Sequence, residues 1–149
     1  MTGLNPKMNK KQKLMNSISV KIEKNTRGKN WIIADIHGCA KTLNALITKQ
    51  IQPTKNDRLF FLGDYVDRGV DSKGVVDFII ALKEEGYPVF PLLGNHEQVY
   101  LEYNENDFSY MKWLTKRNKT KNLLDGEKLH SKYSDFFRSL PHFYELDDF

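Results

Sequence analysis

Three short polar blocks carry the side chains that could do chemistry: Asp35-Ile36-His37-Gly38, Gly63-Asp64-Tyr65-Val66-Asp67-Arg68-Gly69 and Gly94-Asn95-His96-Glu97. Carboxylate, imidazole and amide oxygen together form a ligand set for first-row divalent ions such as manganese, iron or zinc. Asp35 and His37 alternate across one residue, so at a strand end both can turn toward one ion. A carboxylate shared by two cations about 3.5–4 Å apart offsets their repulsion, and water held between them loses a proton near neutral pH and attacks phosphorus in line. Asp64 is the candidate bridge, and Asn95 can give a neutral oxygen to the second ion. Arg68 offers a planar fork to phosphate oxygens. A departing alkoxide needs a proton, which His96 can supply with Asp67 setting its tautomer.

These blocks need a scaffold that brings them together. Each follows a short apolar run, and the blocks recur roughly every 30 residues. The spacing predicts strands over 30–34, 58–62 and 89–93. A helix is expected over 40–50 with Leu43, Leu46 and Ile47 inward, stopped by Pro53. A second helix, capped by Asp71 or Ser72 and ended by Gly86, turns Val75, Val76, Ile79, Ile80 and Leu82 inward. Apolar strands joined by helices form a parallel α/β sheet with right-handed crossovers. Loops at the carboxyl ends of such strands meet in one crevice, so the three blocks are expected to converge. Beyond residue 98 the pattern turns helical, with Tyr110, Trp113 and Leu114 on one face, and Phe136, Phe137 and Leu140 near a further helix that Pro141 closes.

The chain has 149 residues and one cysteine, Cys39, which rules out an intrachain disulfide and points to a reducing, cytoplasmic setting. Cys39 is expected to be a small buried residue at a helix start. No apolar run approaches a membrane span, so no membrane partner is expected. Residues 1–30 hold eight Lys/Arg against the single Glu23, leaving 31–149 with a net charge of −3 out of the chain's +4. Residues 1–29 therefore read as a disordered basic arm, and a mildly acidic body argues against nucleic acid as a partner. The helix near Tyr110 sets aromatics beside Lys112, Lys116, Arg117, Lys119 and Lys121, either as an ordinary solvated face or as a cover that attracts phosphorylated ligands. Tyr65 and Tyr100 read as packing residues.

The three blocks together resemble the signature blocks of the phosphoprotein-phosphatase type within the calcineurin-like metallophosphoesterases, and the second block resembles the Ser/Thr phosphatase form throughout. Ser139-Leu140-Pro141 and Tyr144-Glu145-Leu146 resemble the stretch before that family's next strand. The resemblance implies a β-sandwich flanked by helices, of which residues 30–149 hold the βαβαβ portion, with the carboxyl-terminal half missing. It implies two divalent ions, manganese first among the choices. Asp35, His37 and Asp64 would hold one ion, and Asp64 with Asn95 the other. Arg68, Asn95 and His96 would bind phosphate, with His96 and Asp67 as the proton-donating dyad. The family's two further histidines and further arginine have no counterpart here, so the second ion site is incomplete. His130 and His142 lack the required context and read as surface residues. An uncovered sheet would favour self-association.

Phosphate-ester hydrolysis is the expected activity, on a phosphorylated protein first or a small phosphoester. The alternative substrate is a dinucleoside polyphosphate of the diadenosine tetraphosphate type. A reading from another class is a non-catalytic truncated remnant that keeps the βα core, against which the intact Asp35, His37, Asp64, Asp67, Arg68, Asn95 and His96 count.

Overall fold

Apolar residues in the three predicted strands pair in parallel, in a computed structural model that describes residues 19–147 and leaves out the side chains of Glu105 and Asn106. The strands are β2 (Asn30–Ile33), β3 (Arg58–Phe61) and β4 (Val89–Pro91), in the order β2-β3-β4. Ile33 lies opposite Phe61, and Phe61 opposite Pro91. The ladder runs one residue further, because Leu62 N–H donates to Ile33 O at 3.0 Å and Leu92 N–H to Phe61 O at 2.8 Å. All three strand ends are thus level where the polar blocks begin. Leu59, Phe61, Val66, Val75, Val76 and Ile79 are fully buried and form the centre of the core.

The first connecting helix is shorter than its sequence pattern predicts. Helix α1 (Ala40–Ala45) passes into a π-helical turn, Leu46–Ile51, which ends at Gln52 in the left-handed region at φ 49°. Leu43 and Ile47, four residues apart, take the buried line, whereas Leu46 sits one residue off it and stays exposed. Helix α2 (Ser72–Glu84) is capped by Asp71, whose carboxylate accepts from Gly74 N–H at 2.8 Å. Ile80 is only half-buried. Helices α3 (Asn95–Asn106), α4 (Phe108–Arg117) and α5 (Ser131–Arg138) follow, with the short hairpin β5 (Leu124–Asp125) and β6 (Lys128–Leu129) between the last two.

The basic arm is corrected in part. Ser19–Ile22 forms β1, which pairs in parallel with β7 (Phe143–Leu146), Ser19 opposite Phe143 and Ile22 opposite Leu146. Two physical reasons hold this segment. The β7 edge offers unpaired amides and carbonyls, and Ile22 is buried. Asn25 then donates from its side chain to Asn56 O at 3.1 Å. The arm's residues 1–18 lie outside the described residues. Apolar side chains remain on the strands at the surface, with Ile32 of β2 at 55 % exposure and Val20 and Phe143 also exposed. No described helix is long and apolar enough to cross a membrane.

Asp57 ties the turn before β3 to the start of β2. Its carboxylate accepts from Lys29 N–H at 2.7 Å, Thr54 N–H at 2.7 Å and the Thr54 hydroxyl at 2.9 Å. These donors, the Lys29 amide foremost, hold the carboxyl below its ordinary value of 3.8. A group lowered in the folded state contributes stability that is present above its unfolded pKa and lost as pH falls through the folded one. Asp57→Ala is therefore expected to lower the urea-derived unfolding free energy by about 1–3 kcal/mol at neutral pH. The gap to the wild type should close as pH drops below the ordinary aspartate range.

Candidate functional site

The three blocks meet at the carboxyl ends of β2, β3 and β4, laced by backbone hydrogen bonds. Asp64 O accepts from Ile36 N–H at 3.1 Å and His37 N–H at 2.9 Å, Tyr65 O from Gly38 N–H at 2.8 Å, and His37 O from Gly69 N–H at 2.8 Å. The third block is joined through a side chain. Glu97, with no exposed surface, accepts from Asp64 N–H at 2.9 Å on one oxygen, and from Tyr65 N–H at 2.8 Å and Val66 N–H at 3.1 Å on the other. Burial pushes the Glu97 carboxyl above its ordinary value, opposed by the Val66 and Tyr65 amides and assisted by the charge of Asp64.

This lacing holds the loops in conformations that side chains disfavour. His37 (φ 45°), Asp64 (φ 52°), Asp67 (φ 70°) and Arg68 (φ 58°) all occupy the left-handed region, at about 1–3 kcal/mol each. Such residues persist only where their surroundings over-determine them. Gly94 is one constraint of that kind, because a Cβ there would run into the Asp64 amide nitrogen and carboxylate.

His37 tests whether a metal ion fits. Its Nδ1 lies 3.0 Å from Val66 O, which can only accept, so Nδ1 carries a proton and in the neutral ring Nε2 presents the lone pair. That Nε2 is buried without a hydrogen-bond partner among the described residues. It faces Asp35 Oδ2 at 3.7 Å and Asp64 Oδ2 at 3.9 Å. An imidazole nitrogen beside two carboxylates is a donor arrangement that a divalent cation can occupy. Among the described residues, His37, Asp64 and His96 each offer a ligating atom within 4.8 Å of the others, a group that does not include Asp35, and its imidazole and carboxylate donors suit a divalent ion.

Beside it, His96 Nδ1 donates to Asp67 Oδ2 at 2.7 Å. Asp67 is almost fully buried, and its other oxygen accepts from the Tyr100 hydroxyl at 2.6 Å, while its own N–H donates to Ser72 Oγ at 2.9 Å. Tyr100 is thus more than a packing residue. Burial, with the neighbouring Asp67 carboxylate, pushes its hydroxyl well above the ordinary tyrosine range, so it stays a donor. Tyr65 likewise donates to Leu92 O at 2.6 Å beneath the site. Sequence reading missed both roles and that of Glu97, although Tyr100 lies four residues after His96 and so on the same helical face.

The remaining predicted residues are also located. Asp35 is exposed at the rim; Asn95 opens α3 and lines, with Asp67 and His96, a cleft of about 290 Å³. Arg68 is exposed at the loop tip and does not line that cleft. Cys39 is exposed, contrary to expectation, because it precedes the first turn of α1 with its thiol 3.6 Å from His37 O. His130 and His142 are exposed, and the former accepts from Lys132 N–H as a helix cap.

Residues 29–148 match the family described as Calcineurin-like phosphoesterase. The chain belongs to that family. Among its relatives, the symmetrical bis(5'-nucleosyl)-tetraphosphatase of Photorhabdus laumondii is 44 % identical over 68 residues, which cover 45 % of this chain and 23 % of that one. Serine/threonine-protein phosphatase 1 of Salmonella typhimurium is 34 % identical over 84 residues, 56 % of this chain and 36 % of that protein. A solved structure of a putative diadenosine tetraphosphatase superposes with TM-score 0.62 at 26 % identity, over 87 % of this chain and 50 % of that one. A Saccharomyces cerevisiae serine/threonine phosphatase shares the fold, at TM-score 0.62 and 23 % identity, over 91 % of this chain and 41 % of that one. The matched segments span about a quarter to a third of the length of these two curated relatives. The α/β assignment and the metallophosphoesterase resemblance both hold.

Removing the Glu97 carboxylate strands the buried amides of Tyr65 and Val66 and the part-buried amide of Asp64, each buried one worth about 1–3 kcal/mol. Glu97→Ala should lower the unfolding free energy by about 3–5 kcal/mol. Hydrogen exchange at the amides of 64–66 should rise with it.

Proposed function

We propose that this chain contributes the catalytic core of a metal-dependent hydrolase that cleaves phosphorus–oxygen bonds, and that its substrate is a dinucleoside polyphosphate. The observation that carries the reaction class is the unpartnered His37 Nε2 facing Asp35 and Asp64, next to the Asp67–His96 pair. Asp35, His37 and Asp64 would hold the first divalent ion, and Asp64 with Asn95 would be the chain's contribution to the second. Manganese is the first candidate, with iron or zinc as the others. When bound, the ions supply Lewis acidity and a water deprotonated near neutral pH.

The chain's own residues do the rest. Asp67 accepts the Nδ1 proton of His96, so Nε2 is the nitrogen left to carry a proton to the departing oxygen. Tyr100 and Ser72 keep Asp67 from turning away. Asn95 and His96 line the cleft that would receive the phosphate, and Arg68 supplies a mobile-length cationic fork from the loop tip.

The substrate choice reverses the order expected from the sequence, in which a phosphoprotein came first. The shift is supported by the higher identity to tetraphosphatases, together with the structural neighbour of that description. A protein phosphatase is the second reading, favoured by the longer aligned stretch with the Salmonella typhimurium relative.

Hydrolysis of p-nitrophenyl phosphate, diadenosine tetraphosphate and a phosphoserine peptide with added manganese separates these readings. Diadenosine tetraphosphate should give the highest kcat/KM, and the opposite ranking over the peptide returns the protein-phosphatase reading. Asp64→Asn should lower turnover of all three at least about 100-fold, and undiminished turnover in that variant rules out the proposed site. His96→Ala should lower peptide hydrolysis by about 100- to 10,000-fold but p-nitrophenyl phosphate far less, because p-nitrophenolate leaves without a proton. Manganese at 100 times its Kd should stabilise the chain by about 2.7 kcal/mol, and His37→Ala should abolish that shift in Tm.

A further inference from the structure

The cleft beside His96 and Asp67 has a second wall that the hydrolytic machinery does not use. Helix α4 presents Tyr110, Trp113 and Arg117 to it, with Asn118 just beyond the helix end. Positions 110, 113 and 117 follow the three- and four-residue spacing of one helical stripe, while Met111, Leu114 and Thr115 are buried and anchor the helix. Trp113 is 50 % exposed. A half-exposed indole facing a cleft shared with Asp67, Asn95 and His96 is not explained by core packing.

Its surroundings specify a ligand. Tyr103, Tyr110 and Trp113 form a continuous run of rings, with centroids 4.0 Å and then 5.4 Å apart and tilts of 32° and 40°. The Arg117 guanidinium lies 5.1 Å from the Trp113 ring. Residues 108–124 hold Lys112, Lys116, Arg117, Lys119 and Lys121 without a single acid. Flat aromatic surface plus a cation suits a planar heteroaromatic ring joined to an anion, and stacking on such a surface is strong for any base. The Asn118 amide adds a donor and an acceptor for a ring edge.

We infer that the α4 wall of this cleft, Tyr110, Trp113 and Arg117 with Asn118, is a nucleotide subsite that stacks one base of the substrate on Trp113 and pairs its adjacent phosphate with Arg117. This rests on the dinucleoside-polyphosphate reading, and it names the residues that would separate a nucleotide from a phosphopeptide. Trp113 and Arg117 are specificity-determining residues, distant in role from the proton transfer at His96.

The test uses the intact chain in EDTA, where no turnover occurs. AMP should quench tryptophan fluorescence saturably, and ribose 5-phosphate, which keeps the phosphate and lacks the base, should not. The chain has two tryptophans, Trp31 and Trp113, so Trp113→Phe should remove the signal and Trp31→Phe should retain it. Arg117→Ala should weaken AMP while leaving adenosine unchanged. In the metal-loaded chain, Trp113→Ala should lower kcat/KM for diadenosine tetraphosphate by roughly 5- to 150-fold, the range for one stacked base, and leave β-glycerophosphate hydrolysis unchanged. Absent quenching by AMP, or equal quenching by ribose 5-phosphate, overturns the subsite whatever the activity. Should Trp31→Phe fail to fold, the wild type minus Trp113→Phe difference reads the same signal. AMP binding without any hydrolysis would keep the subsite and overturn only the catalytic reading.

Discussion

The Glu97 carboxylate accepts three consecutive amide protons, from Asp64, Tyr65 and Val66, in a place without solvent. Everything at the site hangs on that contact. Water cannot compete for the amides there, so the loop has one low-energy arrangement, and it is one in which Asp64 takes a left-handed backbone. With Asp64 so turned, its carbonyl receives the amides of Ile36 and His37. Its carboxylate meanwhile lies 3.2 Å from the His96 amide. One buried anion on α3 thereby sets the relative positions of all three polar blocks.

The electrostatic consequence follows from geometry. Two carboxylates, Asp35 after β2 and Asp64 after β3, face the Nε2 of an imidazole whose Nδ1 is bonded to Val66 O. A cation added there would be bound by the imidazole and both carboxylates. Neighbouring Asp67 offers no such place. It is bonded on both oxygens, by His96 and by Tyr100, and through its amide by Ser72. The two halves of the site are therefore built differently, one left open to a cation and one closed around a proton path.

Tyr100 and Ser72 belong to helices whose main task is packing, α3 and α2, yet both reach Asp67. This is the reason a short α/β core can hold a strained loop. The helices that cover the sheet also supply the hydrogen bonds that keep the loop from relaxing. Helix α4 packs beside α3 and brings its aromatic stripe to the same opening, so the outer wall of the cleft and the proton path share one support.

The sequence by itself determined the parts governed by local pattern. Strand–loop–helix order, the parallel sheet and the identity of the polar blocks follow from apolar periodicity and from residue types that have few other uses in combination. Strand limits shifted inward by one or two residues, and the helix after the first block turned into a π-helical turn, since hydrogen-bond registry at element ends answers to neighbours in space. Residues 19–22 looked like part of a charged arm because two alternating apolar residues, Val20 and Ile22, are too short a pattern to stand out among the surrounding lysines; their pairing with β7 crosses more than a hundred residues of chain. The same reason hid Glu97 and Tyr100. A glutamate and a tyrosine in a helix are unremarkable in sequence, and only the tertiary packing, by excluding water and bringing amides and a carboxylate within hydrogen-bond reach, decided that they would hold the site together.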